Sequence, residues 1–193
     1  MEETSEENIK TANYLVDIFG GDPDVTQFLD ETKKNSIDIL VCENSPQTGI
    51  NTYSTVNLSD YPIYMEGKEY PARAEIIGCS DSRNKKFANI ISTCAFNISK
   101  DKWFIAPDVV YPDVVKMYYP SKKMKHILFS DPFLWEGKIE SQIYKTKTVS
   151  FLLAIPISEN EYVFYLEKGA DELHEIFEKK QIDIFDLNRP DTC

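Results

Sequence analysis

Histidine is almost missing from this chain. His126 and His174 are the whole complement in 193 residues, so any nucleophile scheme that needs an imidazole base must use one of them. Neither stands beside a GxSxG or comparable nucleophile signature. Glycine is scarce as well, at seven residues. None falls into a GxGxxG or Walker loop, so the backbone cradle that a nucleotide phosphate needs has no visible seat. The four cysteines, Cys42, Cys79, Cys94 and Cys193, form no CxxC pair and no dense disulfide framework. They read as free thiols in a reducing compartment, the inner three packed as small apolar groups and Cys193 left dangling. Apolar residues come in short mixed runs, well below the ~20 in succession that a membrane-spanning helix requires. The amino terminus, Met1-Glu2-Glu3-Thr4-Ser5-Glu6-Glu7, is acidic where a secretory signal is basic and then apolar, so the expected location is the cytosol.

Acid is what the chain has in excess. The net charge of −11 is unevenly spread. Residues 1–31 hold nine acids against Lys10, and residues 158–193 hold ten against Lys168, Lys179, Lys180 and Arg189. The segment between them is slightly basic, with 13 acids and 16 bases. A field of this sign repels phosphate, which disfavours direct binding to DNA or RNA. Two readings of the acidic ends remain open from charge alone: they keep the chain soluble, or they attract a basic partner.

At 42% hydrophobic the length supports one substantial core, and one domain over residues 1–193 is the expectation. Ser5 followed by Ile9, Ala12, Leu15, Val16 and Phe19 predicts an N-capped amphipathic helix stopped by Gly20-Gly21. Strands are expected at Val25–Thr32, Ser36–Glu43 and Ile50–Leu58 as an antiparallel meander, and again at 72–78, where Arg73 and Glu75 share a face by the period of two. The stripe Phe87, Ile90, Ile91, Cys94 and Ala95 predicts a helix over Asn84–Ile98. Pro107, Pro112 and Pro120 restrict any strand between Trp103 and Pro120 to a short or edge one. Strands at His126–Phe129 and Lys147–Ile155, the latter central, precede two helices, Glu159–Glu167 and Asp171–Lys179. Strands gathered in the middle with helices at both ends and one between argue for an α+β fold: a central mixed, largely antiparallel sheet flanked by helices.

Three patterns invite a chemical reading. Cys79-Ser80-Asp81-Ser82-Arg83 resembles the zinc-binding signature of β-class carbonic anhydrases, in which the Cys is a ligand. That set also needs a His and a Cys three residues apart downstream, and here Phe129 stands three residues after His126. The competing reading is a strand-to-helix turn in which Ser82 or a neighbour caps the helix near Asn84. His174-Glu175-Ile176-Phe177-Glu178 opens like HExxH, but Glu178 stands where the second His must be. Tyr111, Met117, Tyr118 and Tyr119, with Phe133-Leu134-Trp135, are either core or an aromatic contact surface.

A further set of residues points to a family. Ala72-Arg73-Ala74-Glu75-Ile76, Trp103, His126-Ile127-Leu128-Phe129, Pro132-Phe133-Leu134-Trp135, Ala154-Ile155-Pro156-Ile157-Ser158-Glu159-Asn160-Glu161, Gly169-Ala170-Asp171-Glu172-Leu173 and the closing Ile182-Asp183 to Asn188-Arg189-Pro190 occur in an order that resembles the suppressor-of-fused domain family, and within it the bacterial antitoxins. The similarity covers nearly the whole chain. It implies a mixed sheet flanked by helices, no enzymatic activity, no cofactor and no metal. It also implies a protein partner, which in the bacterial branch is a cognate LXG-type toxin with a nuclease domain, neutralised by complex formation. The region after the Arg-x-Glu strand becomes a loop leading into a helix.

Nuclease sites are basic because they attract phosphate, so an acidic binder of this kind associates quickly and blocks access. The residues expected to touch the partner are Asp171, Glu172, Glu175 and Glu178. Asp171, Glu175 and Glu178 share one polar edge at i, i+4 and i+7, while Leu173, Ile176 and Phe177 anchor the opposite face. The alternatives are a β-carbonic-anhydrase-like zinc lyase and a signalling adaptor without a toxin.

Overall fold

The computed structural model describes residues 5–135 and 137–193; the acids Glu2 and Glu3 lie outside them. The first helix, α1, spans Glu6–Phe19. Its Ser5 cap accepts the Asn8 N–H on Oγ at 3.1 Å, and Gly20 ends it at a positive φ that β-carbon-bearing residues rarely adopt. Three strands follow as an antiparallel meander: β1 (Asp22–Leu29), β2 (Ser36–Glu43) and β3 (Ile50–Thr55). A small hairpin, β4 (Tyr64–Met65) with β5 (Lys68–Glu69), leads to β6 (Arg73–Asp81), and α2 (Phe87–Ser99) crosses over it. Then come β7 (Val110–Tyr111), α3 (Val114–Tyr118), β8 (Met124–Ser130), β9 (Gln142–Ile143), β10 (Thr148–Ser158), α4 (Glu159–Lys168) and α5 (Ala170–Lys180).

The main sheet runs β1-β2-β3-β6-β10-β8-β7, with β9 on β10, and the β6–β10 pair alone is parallel. Alternation along the central strands builds a core on each face. Ile76 of β6 and Leu152 and Ala154 of β10 meet Phe87, Ile90, Ile91 and Cys94 of α2 on one side. Ile77 and Cys79 of β6 and Leu153, Ile155 and Ile157 of β10 face Leu15 and Phe19 of α1 and Leu173 and Phe177 of α5 on the other. The fold is the mixed, mostly antiparallel arrangement that the strand pattern predicts. Gly78 explains how closely α2 sits: a Cβ there would lie 2.7 Å from Ile91 Cδ1 and 2.9 Å from a Phe87 ring carbon.

Several boundaries differ from the sequence reading, each for a local reason. β1 starts three residues early and ends at Leu29, because the Asp30 carboxylate organises Asp30–Thr32 into a turn. It accepts from Thr32 Oγ1, the Lys34 N–H and Asn35 Nδ2. Burial opposes that charge, but these bonds outweigh it and hold the Asp30 carboxyl down at about 2. The strand expected to reach Leu58 stops at Thr55, and Leu58–Asp60 form a 3-10 turn. The fully buried Glu75 holds that turn, accepting from the Leu58 and Ser59 N–H groups and the Thr55 hydroxyl. Burial pushes the Glu75 carboxyl above its ordinary range even so.

The helix expected from Asn84 begins at Phe87, after Lys86, with no side-chain cap, so the Ser82 capping reading is wrong. Between Trp103 and Pro120 the strand β7 is two residues long and lies at the sheet edge, as the prolines require, and the sequence reading missed α3, which lies between Pro112 and Pro120. β10 continues through Pro156 to Ser158. Beyond Ala154 it has left β6 and pairs with β8 alone, so the missing Pro156 N–H would have faced no strand.

Candidate partner-binding face

The segments that carry the family resemblance near the carboxyl end turn out to be one structural unit. Ser158, the last residue of β10, caps α4 in a complete capping box: its Oγ accepts the Glu161 N–H at 3.2 Å, and its own N–H donates to Glu161 Oε2 at 2.9 Å. Glu161 is fully buried, and Arg189 meets it bidentately, Nη1 to Oε1 at 2.5 Å and Nη2 to Oε2 at 2.8 Å. Thr192 adds its N–H and hydroxyl to Oε1, while Arg189 Nη2 also reaches the Pro156 carbonyl. The guanidinium lies 5.3 Å from the centre of the Phe177 ring of α5. Ile-Pro-Ile-Ser-Glu-Asn-Glu and Asn-Arg-Pro are thus two halves of a clasp that fixes α4, α5 and the chain end against β10.

That clasp presents the outer edge of α5. At about 100° per residue, Asp171, Glu175 and Glu178 fall within roughly 60° of one another, and all three are exposed. Leu173 and Phe177 are buried beneath them, and Ile176 is half-buried. Glu172 is exposed but turns toward the Ile176 side, away from the other three. Glu178 also lines a groove of about 490 Å³ with Phe133, His174, Phe177, Gln181 and Ile182. Phe133 is 53% exposed at its rim, whereas Trp135, two residues on, is buried against Phe19 of α1 with ring centres 4.9 Å apart. The aromatic run therefore serves both purposes: Tyr111 and Trp135 are core, and Phe133 and Met117 reach solvent. The HExxH-like His174 bonds Asp108 Oδ1 at 2.9 Å.

The topology does something with charge that the linear sequence does not reveal. α1, α4 and α5 all pack on the same face of the sheet, so the acids of the first helix share that face with those of the last two, whereas Asp22 and Asp24 lie on the side of Phe28 and α2. α2 and α3 cover the opposite face; no acid occurs in either, and Lys85, Lys86, Lys100 and Lys102 flank α2. The missed signal was the odd-even split along β6 and β10, which assigns each helix to a face once the helices are paired with strands.

Among the described residues, neither Cys79–Arg83 nor His174–Glu178 brings three potential ligands together. Cys79 lies inside β6, 1% exposed, with Thr52 Oγ1 at 3.3 Å from its sulfur, and burial pushes its thiol up to about 12. Asp81 and Arg83 pair with each other at the surface. Cys42 and Cys94 are likewise buried free thiols, and Cys193 is exposed. Among the described residues, Asp113, His126 and Glu159 are the one group of potential ligands close together, and Cys79 is not in it. Both His126 nitrogens are already used: Nδ1 accepts the Asp113 N–H at 2.9 Å and Nε2 faces Glu159 Oε2 at 3.2 Å. This group ties the starts of α3 and α4 to β8. Burial lowers the His126 pKa against the pull of Glu159.

The fold and the clasp define a class. The chain belongs to the suppressor-of-fused family, whose profile, described as Suppressor of fused protein (SUFU), matches residues 33–190. It is 43% identical over 185 residues to Immunity protein YqcF of Bacillus subtilis (strain 168), covering 96% of each chain. A putative SUFU homologue from Neisseria gonorrhoeae FA 1090 has the same fold at 15% identity, with a TM-score of 0.75 over 97% of both chains. Drosophila Suppressor of Fused matches at 11% identity and a TM-score of 0.65, covering 96% of this chain and 51% of that one.

Proposed function

We propose that this chain is an immunity protein that binds a cognate toxin and neutralises it by complex formation, without catalysis or cofactor of its own. The observation that carries this reading is the acidic helical face, seen in a chain 43% identical over nearly its full length to Immunity protein YqcF. The partner is a basic nuclease domain of an LXG-type toxin, met in the cytosol before it reaches nucleic acid. A site that binds phosphate presents positive potential, and a rigid acidic face complements it without needing base-specific contacts. The Asp171, Glu175 and Glu178 edge supplies charge, and the apolar groove beside it, with Phe133 at the rim, supplies the desolvated anchor that charge alone does not provide.

Co-expression tests this reading. Growth of cells producing the toxin encoded beside this chain is restored by the chain, and the two co-purify. Failure of both, with the chain folded and abundant, contradicts it. Rescue by a different mechanism would leave no complex, and a signalling adaptor of this fold would give neither result.

A further inference from the structure

β1 is the outermost strand of the sheet, yet it is built as though one side were waiting for company. Seven of its eight residues are exposed and only Phe28 is half-buried. Edge strands of this length are normally guarded by lysines, bulges or a covering helix. β1 carries no lysine, pairs with β2 in unbroken register and has Pro23 near one end.

Register shows which backbone groups face outward. Asp30 donates its N–H to the Asn35 carbonyl at 3.0 Å, continuing the ladder in which Leu29 lies opposite Ser36. In an antiparallel pair such groups alternate, so Phe28, Thr26, Asp24 and Asp22 turn inward to β2. Gln27 confirms the phase from the other strand. Its opposite number, Asp38, sends its N–H to Asn57 Oδ1 and its carbonyl to the Val56 N–H, both on the β3 side. Val25, Gln27 and Leu29 therefore point their N–H and C=O groups away from the sheet. Pro23, the fourth residue of that set, is the one with no N–H to leave unpaired.

Side chains and charge indicate what fits. Val25 and Leu29, each 51% exposed, stand on the same face as their β2 neighbour Leu40, which is the face covered by the acidic helices. Asp17, Asp22, Asp24 and Glu43 are all exposed around the Gly20-Gly21 end of the edge, and Lys10 is the single base between residues 5 and 32. A second copy is a poor occupant. Antiparallel self-pairing with Val25 against Gln27 sets Asp22 opposite Asp30, a shift of two residues to Val25 against Leu29 sets Asp24 opposite Asp30, and the opposite shift to Val25 against Val25 sets the two Asp24 diagonal to each other; like charges so placed are destabilising.

We propose that the free edge of β1 docks an extended, basic segment of the toxin, which adds to the sheet as a further strand. Main-chain bonds to Val25, Gln27 and Leu29 set its register, Val25 and Leu29 take its apolar side chains, and the acids at the Gly20-Gly21 end take its lysines or arginines. This rests on the immunity reading and names a second contact beyond the α5 edge.

Amide hydrogen exchange of the full chain, free and mixed with the purified, catalytically silenced toxin domain, tests it. The expected signature alternates: Val25, Gln27 and Leu29 exchange fast when free and slow by about tenfold or more in the complex, while Thr26 and Phe28 are protected in both states. A complex that forms with Val25, Gln27 and Leu29 unchanged overturns strand addition and leaves the immunity reading intact. No complex with the wild-type chain overturns both. As a second arm, Asp22→Lys with Asp24→Lys, which touches no ladder-forming side chain, is expected to weaken the complex at least about tenfold; unchanged affinity in a folded variant contradicts the charge assignment.

Discussion

Glu161 and Arg189 show how much of this molecule hangs on single side chains. Both are buried, and each exhausts most of its bonding capacity on the other and on nearby backbone. Arg189→Ala would leave a carboxylate in the core with its main counter-charge gone, and is expected to cost ~3–5 kcal/mol, read from the urea midpoint. Pairing Arg189→Met with Glu161→Gln removes both charges together and is expected to recover much of that loss. A single variant as stable as the wild type would mean the clasp is ornamental.

His126 gives the pH counterpart. Its folded pKa is below the unfolded value, so the unfolded chain takes up the proton first as pH falls. Its contribution is lost as pH drops through about 6.5 and levels off below the folded pKa. The melting temperature should therefore fall between about pH 7 and pH 5 by more in the wild type than in His126→Gln; parallel curves contradict the assignment. Asp30 acts in the opposite register of the scale, its stabilisation being present above the ordinary carboxyl value and lost as pH falls toward about 2.

At the scale of elements, α2 and β6 are fitted through Gly78. Gly78→Ala drives a methyl into Ile91 and Phe87, both fully buried, and is expected to cost ~1–3 kcal/mol by denaturant titration. An unchanged midpoint would show that the helix can lift freely. Elements with strong periodicity were legible in the sequence: α1, β2, α4 and α5 fall within a residue of their expected limits. Limits set by contacts from elsewhere were not. Thr55 ends β3 because Glu75, twenty residues away, captures the following turn, and β10 runs through a proline because its pairing with β6 ends at Ala154 although β6 itself continues to Asp81. β1 was displaced because Asp30 reads as a strand residue until its turn bonds are seen. Of the candidate face, periodicity placed Asp171, Glu175 and Glu178 on one exposed edge, as the structure has them, but not Glu172, and the groove beside them is built from Phe133, Gln181 and Ile182 as well, which no local pattern links.

For the whole molecule, charge changes meaning once the chain is folded. The acids of α1, α4 and α5, distant in sequence, lie on one face, while Asp22, Asp24 and Glu31 lie on the α2 side, where Lys100 pairs with Glu31. A steering field of that shape is sensitive to salt, since the screening length falls from ~10 Å at 0.1 M to ~3 Å at 1 M. Association with the toxin domain is expected to slow across that range, and Glu175→Lys with Glu178→Lys to slow it at low salt with little change in folding stability. A flat rate would reduce the acidic face to a solubility device.

The central claim is that binding alone silences the toxin. Titrating purified toxin domain with purified wild-type chain, and following nucleic acid cleavage, measures that directly. The expected result is activity falling in proportion to added chain and vanishing once the toxin is saturated, with the chain recovered intact from the complex. Cleavage that persists with the chain in large excess would contradict it.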